Sequence, residues 1–208
     1  MIAVRMGVLE GAIWSMFKSV SKLSYDFPLI LSAVAMIQVS RHLGENNVKV
    51  ATMILNDYRI FAVTCGFIFG ARFLILKDST IAEYVGKSQT AEFEEMANGV
   101  WFWVVLYQPI FSLLAVYSGL ISGFQDFVFW GRTVMLTCVV VYLPLAIAAS
   151  YTRNLHFLIA AEVMYSLVVL VSCYVKLHWF PSYGSVATVQ LEEAGTPRDA
   201  EPVTDAGA

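Results

Sequence analysis

The residues best suited to chemistry in this chain are a few polar side chains that interrupt long apolar runs. Arg72 and Glu162 are ionisable, and Gln108 and Ser166 are uncharged. An ionisable group inside an apolar membrane helix is expensive, so it normally pairs with another group or lines a wet cavity. We therefore predict that Arg72 approaches Glu162 with Gln108 nearby. Ser166, one helical turn from Glu162, shares its face.

Two interpretations of this polar cluster stay open. Arg72 and Glu162 form a structural salt bridge in the first, whereas Glu162, Gln108 and Ser166 line a transport path in the second. Few other polar residues share a helix face with Glu162, which favours the structural interpretation. Arg72 also lies about one turn from the end of its apolar run, where its long side chain can reach the membrane surface.

Residue sets that indicate catalysis are missing from the sequence. It has no HExxH, GxSxG or CxxC motif and no glycine-rich phosphate loop. The three cysteines, Cys65, Cys138 and Cys173, lie in apolar runs, and the three histidines are scattered. We therefore expect no catalytic site, no cofactor, no metal site and no disulfide. A net charge of −3 argues against a nucleic-acid partner.

Four long apolar runs must position the polar side chains: 60–76, 100–122, 134–150 and 155–175. Each is about as long as a helix needs to cross ~30 Å of hydrocarbon. The runs are continuous rather than alternating, which favours helices over a barrel. Only 14% of the 208 residues are charged, against about 25% in soluble domains. The predicted fold is an all-α integral membrane protein with a four-span helical bundle over residues 59–180.

Residues 25–58 decide the number of spans. Their apolar run, 27–40, is short for a span and typical of a re-entrant or interfacial segment. If this run does cross the membrane, the bundle has five spans. Most of the 13 lysines and arginines share one side with four spans, whereas they divide evenly with five. The positive-inside rule therefore favours four spans, with both termini on the cytoplasmic-equivalent side.

Residues 1–24 are predicted to form an amphipathic helix before the bundle. Apolar residues recur every seven positions in two rows, which are Ile2, Leu9, Met16 and Leu23, and Met6, Ile13 and Val20. The two rows lie side by side on the helix and together form one apolar stripe. We predict a helix lying in the membrane interface. Packing of the stripe on the protein's own spans and a short coiled coil are the two alternatives.

Glycines and tryptophans predict how the spans pack and where they end. Two Gly-x-x-x-Gly motifs, Gly66 to Gly70 and Gly119 to Gly123, make flat strips that another helix can approach closely. Packing within the bundle is favoured over packing against another subunit. Indole rings favour the headgroup level. The predicted interface anchors are Trp14, Trp101, Trp103, Trp130 and Trp179.

Function is predicted from these features together. Residues 181–208, with three prolines and five acidic residues, read as a disordered acidic tail. The absence of a catalytic set, the glycine strips and the amphipathic N-terminal helix favour a non-catalytic multi-pass subunit of a larger membrane complex, with a structural or assembly role. Its expected partners are the lipid bilayer and other membrane subunits or copies of itself. The alternative is a small homo-oligomeric channel or transporter with Glu162 and Gln108 lining the path.

Overall fold

A computed structural model describes residues 7–85 and 91–179, and every regular element within these residues is a helix. The helices are α1 (Val8–Leu23), α2 (Asp26–Gly44), α3 (Val48–Ile75), α4 (Lys77–Val85), α5 (Ala91–Gly123), α6 (Phe127–Thr152) and α7 (Leu155–Trp179). A short π-helical segment, Cys138–Tyr142, lies inside α6. The predicted tail, 181–208, lies outside the described residues.

Among the described residues, five helices, rather than the four long runs of the sequence, are long and apolar enough to cross a membrane: α2, α3, α5, α6 and α7. The difference is α2. Its apolar run continues into a polar last turn and the helix ends only at Gly44, so it has 19 residues. At 1.5 Å per residue this is about 28 Å, close to the hydrocarbon thickness.

Helix α5 is the centre of the bundle. It has the largest buried share of the five long helices, and each of the other six helices packs against it. One buried apolar cluster surrounds Trp101 and Tyr107 and includes residues of α1 and α7. A second surrounds Tyr117 and Leu120 and includes residues of α2 and α3. Helices α3 and α7 contribute to both clusters, whereas α1 contributes to the first and α2 to the second.

Contacts along α5 give the direction of α3. Phe73 contacts the ring of Trp101, and Ser112 donates a hydrogen bond to the Ala62 carbonyl oxygen. Helix α3 therefore runs antiparallel to α5. The bundle has two ends: the 76–99 end, where α3 ends and α5 begins, and the 124–126 end, where α5 ends and α6 begins.

Helices α1 and α2 follow one another along α5. The ring of Phe17 in α1 lies 5.7 Å from the ring of Tyr107, and Ser32 in α2 lies against Gly119. Both helices therefore run parallel to α5, from the 76–99 end towards the 124–126 end. Only residues 24 and 25 separate them, and both have right-handed helical backbone angles.

The apolar stripe of α1 faces the bundle. Ile13, Met16, Phe17 and Val20 are each at most 1% exposed and belong to the apolar cluster shared with α5 and α7. The described part of the stripe thus packs on the protein's own helices, which is one of the two alternatives to the interfacial helix; Ile2 and Met6 lie outside the described residues. The physical reason is that α1 fills a groove between α5 and α7.

Candidate functional site

Glu162 is the centre of the polar cluster, and its partner is Lys18. The Lys18 Nζ atom lies 2.6 Å from Glu162 Oε1. Arg72, the predicted partner, is exposed on α3 and takes part in none of the ion pairs within residues 7–85 and 91–179. The structure therefore pairs Glu162 with Lys18 and not with the predicted Arg72. Helix α3 packs on α2 and α5, whereas α1 packs against α7, which carries Glu162.

Two further polar groups join this cluster from α5 and α7. The Ser166 hydroxyl lies 3.4 Å from the Tyr107 hydroxyl, and both residues are buried. Tyr107 also interacts with the Glu162 carboxylate. The sequence predicts Ser166 beside Glu162 but does not predict Tyr107 there. The four residues Lys18, Glu162, Tyr107 and Ser166, which we call the Glu162 cluster, link α1, α5 and α7.

The charged pair of the Glu162 cluster reaches the surface of the bundle. The side chain of Lys18 is 44% exposed and that of Glu162 is 15% exposed. The Lys18 ammonium also lies 5.0 Å from the ring of Trp14, which makes a cation–π contact. The cluster is therefore buried at Tyr107 and Ser166 and partly open at Lys18.

Gln108 belongs to a different environment from the one predicted. Its side chain is buried, and its Nε2 atom donates a hydrogen bond to the Val104 carbonyl oxygen of the same helix at 3.1 Å. Within the part of the chain that the structure describes, no hydrogen bond joins it to Glu162. Gln108 thus satisfies its amide within α5.

Other polar side chains in the long helices hold neighbouring helices together. Ser112 donates to the Ala62 carbonyl oxygen at 2.9 Å and ties α5 to α3. Ser40 donates to the Gly123 carbonyl oxygen at 3.0 Å and ties α2 to α5. These serines bridge helices, so they mark packing contacts rather than a continuous polar lining.

Comparison of the chain with protein-family models, curated proteins and solved structures found no match. Function is therefore inferred from geometry. Cys65 and Cys173 are buried and Cys138 is exposed, and all three thiols are free. Across residues 7–85 and 91–179, no three histidine, cysteine or acidic side chains come close enough together to hold a metal ion.

The glycine motifs sit at close helix contacts inside the bundle. The contacts are Gly66 with Pro109, Gly119 with Ser32, and Gly123 with Met36 and Val39. A Cβ atom at Gly70 would instead lie 3.5 Å from the Val105 carbonyl oxygen, an ordinary contact distance. Gly66 and Gly119 therefore stand where α3 and α2 approach α5 too closely for a side chain, and a Cβ atom at Gly123 would require its neighbours to shift by a few tenths of an ångström.

Trp101 is not the interface anchor that its position predicted. It is 2% exposed, and its Nε1 atom donates a hydrogen bond to the Phe73 carbonyl oxygen at 3.0 Å. That carbonyl lies in the last turn of α3, where the helix itself supplies no donor. Trp14, Trp103 and Trp130 are partly buried, and Trp179 is 75% exposed.

Proposed function

We propose that this chain is a non-catalytic multi-pass subunit of a larger membrane protein complex, with a structural or assembly role. The observation that carries the proposal is the partly exposed Lys18–Glu162 pair. Glu162 lies seven residues into α7, which is about 10 Å along the helix axis. A glutamate side chain is too short to reach the membrane surface from that depth.

An ion pair in this position favours a protein neighbour over lipid. The pair cancels the net charge, but the 44% exposed Lys18 still turns towards the surroundings of the bundle. A charged side chain in hydrocarbon costs about 2.5–3.5 kcal/mol on insertion scales. A neighbouring subunit that covers Lys18 with polar groups removes part of this cost. The proposed contact surface is therefore the part of the bundle surface around Lys18 of α1.

We further propose five spans. The basic residues of the described helices near the 124–126 end are Arg41, Lys49, Arg59, Arg132 and Lys176, and those in the half of the bundle towards the 76–99 end are Lys18, Lys22, Arg72, Lys77 and Arg153. This even division gives no orientation by the positive-inside rule, so the support for five spans is the length of α2 and its packing on α3 and α5. The first residues of α1 and the last residues of α7 then lie on opposite sides, unlike the four-span prediction.

The alternative, a small homo-oligomeric channel or transporter, uses the same half-open pair. Several copies of the chain would turn Lys18 and Glu162 towards a shared axis, and the polar path would lie between copies. Gln108 then needs a different rotamer to reach the path, because its amide bonds within α5. The two proposals differ in what surrounds the chain.

The test is the native mass and subunit composition of the assembly, purified gently from its source membrane through this chain. A mixture of different chains is the expected result. A ring of one component contradicts the subunit proposal and favours the channel. A lone monomer that retains its fold contradicts both.

Variants of the ion pair make this test specific. Lys18→Gln and Glu162→Gln should each reduce the recovered assembly, because each leaves one buried or half-buried charge without its partner. The double variant should recover part of the loss. Lys22→Gln, one turn along α1 and exposed, is the matched control and should leave the assembly intact. Equal recovery of all variants would remove the support of the pair for the proposal.

A further inference from the structure

A cavity of about 430 Å³ lies between α3 and α7, nearer the 124–126 end of the bundle than the Glu162 cluster. Its floor is α5, because α3 and α7 both pack on α5. The volume is within the range of about 300–1,000 Å³ found for small-molecule sites. The residues that matter for its chemistry are Arg59, Val63, Leu113, Tyr117, Leu170 and Tyr174.

Two polar groups of the cavity, the Tyr117 hydroxyl and the Arg59 guanidinium, interact with each other but have no anionic partner in the described part of the chain. The Tyr117 hydroxyl is buried and has no hydrogen-bond partner among the described residues. Arg59 is half-buried, interacts with Tyr117, and has no carboxylate within ion-pair distance in the described part of the chain. A buried hydroxyl without a hydrogen-bond partner is unfavourable. A guanidinium and a hydroxyl that face one space are donors for an anionic oxygen.

The polarity of the cavity changes along the bundle axis, from polar side chains near the 124–126 end to apolar side chains further inside. Tyr117 lies six residues before the end of α5, which is about 9 Å from the 124–126 end. Val63, Leu113 and Leu170 each lie about one turn further towards the middle of the bundle than Arg59, Tyr117 and Tyr174, respectively. This order matches a lipid whose headgroup lies near the membrane surface and whose chain enters the hydrocarbon.

We propose that the cavity binds one phospholipid with an anionic headgroup. A phosphate oxygen accepts hydrogen bonds from the Arg59 guanidinium and the Tyr117 hydroxyl. One acyl chain lies along Val63, Leu113 and Leu170. The cavity opens sideways between α3 and α7, because Ile60 and Val171 at its rim are more than half exposed. A lipid can therefore enter from the bilayer without unfolding the bundle.

The test is native mass spectrometry of the full chain in detergent with three added probes. Phosphatidylglycerol carries the anion and the chains, phosphatidylcholine carries the chains without net charge, and glycerol phosphate carries the anion alone. We expect one retained phosphatidylglycerol per chain, bound about tenfold more tightly than phosphatidylcholine. Glycerol phosphate should bind weakly, because it buries no acyl chain.

Three variants locate the site. Arg59→Gln should weaken phosphatidylglycerol binding about tenfold, since it removes a charge-assisted bond. Tyr117→Phe should weaken it several-fold. Arg72→Gln, an exposed position near the opposite end of the same helix, is the matched control and should bind as the unmodified chain does. If Arg59→Gln does not fold, Tyr117→Phe still tests the site.

Several outcomes would overturn the lipid site. Equal retention of the two phospholipids with no effect of Arg59→Gln would mean a purely apolar groove. Equal binding of glycerol phosphate and phosphatidylglycerol would mean a site for a free anion. Without lipid, Tyr117→Phe should melt at the same temperature as the unmodified chain or higher, because it removes an unpaired hydroxyl. A clear drop in melting temperature would show that the hydroxyl already has a partner in the protein.

Discussion

Replacing Gly119 by alanine tests whether α2 is an integral part of the bundle. A Cβ atom at this position would collide with the Ser32 carbonyl oxygen and lie 2.7 Å from the Ser32 carbonyl carbon. Ordinary contacts begin near 3.4 Å. The obstacle is backbone rather than a flexible side chain, so α2 must move away from α5 by roughly 1 Å.

The expected destabilisation is about 1–3 kcal/mol, the usual cost of overpacking a close contact. The shift also stretches the hydrogen bond from Ser40 to the Gly123 carbonyl oxygen, which is 3.0 Å long and contributes about 0.5–1.5 kcal/mol. Alanine offsets about 1 kcal/mol through its higher helix propensity. Gly131→Ala on α6 is the matched control, because nothing lies within 4 Å of its new Cβ atom.

The assay is equilibrium unfolding of the purified chain in mixed micelles, with increasing sodium dodecyl sulfate and a helix-sensitive signal. Gly119→Ala should unfold at a lower detergent fraction than the unmodified chain, whereas Gly131→Ala should match it or exceed it. If Gly119→Ala is as stable as Gly131→Ala, then α2 does not pack on α5 as described. The five-span proposal would lose its fifth helix with it.

Two further predictions concern the helix ends. Trp101→Phe should lower the free energy of unfolding by about 1–3 kcal/mol in the same assay, because it leaves the Phe73 carbonyl oxygen without its donor and opens a small void. The control is Trp179→Phe at an exposed position, which should leave the stability unchanged. Equal effects of the two substitutions would refute the role of Trp101 as a donor to the end of α3. Asp126 caps the N-terminus of α6, and its carboxylate lies 3.1 Å from the Lys176 ammonium. Asp126→Ala should therefore lower the free energy of unfolding by about 1–2 kcal/mol. Asp126→Asn should lower it less, because asparagine keeps the cap. Identical losses would mean that the cap contributes nothing.

The helical character of the chain follows directly from its composition, and the reason is physical. The runs 100–122 and 155–175 lie inside α5 and α7, because a continuous apolar run in a chain with few charges has no other stable form in lipid. The length of α2 is harder to predict from the sequence. Its last turn contains Arg41 and His42, and an apolar run counted residue by residue ends before them although the helix does not.

The partner of Glu162 could not be read from the sequence for a different reason. Depth along a span predicts which residues share a level, but not which helices are neighbours. Depth along the spans relates Arg72 and Gln108 to Glu162, and the amphipathic pattern of α1 predicts a helix in the membrane interface. Lys18 becomes a candidate only once the stripe around Phe17 is packed against the spans. Its position beside that buried stripe was the available signal.

The two charged sites of the bundle differ in how they are neutralised, and this difference separates the two proposals. Glu162 has a cation from α1 at 2.6 Å, whereas Arg59 has no anion among the described residues. The two sites are also distant: Glu162 and Tyr174, at the cavity, are 12 residues apart on α7, which is about 18 Å. One lipid headgroup or one side chain cannot contact both sites across that distance. Cover for Lys18 and an anion for Arg59 must therefore come from separate sources, which is why we assign a protein neighbour to the first and a lipid to the second.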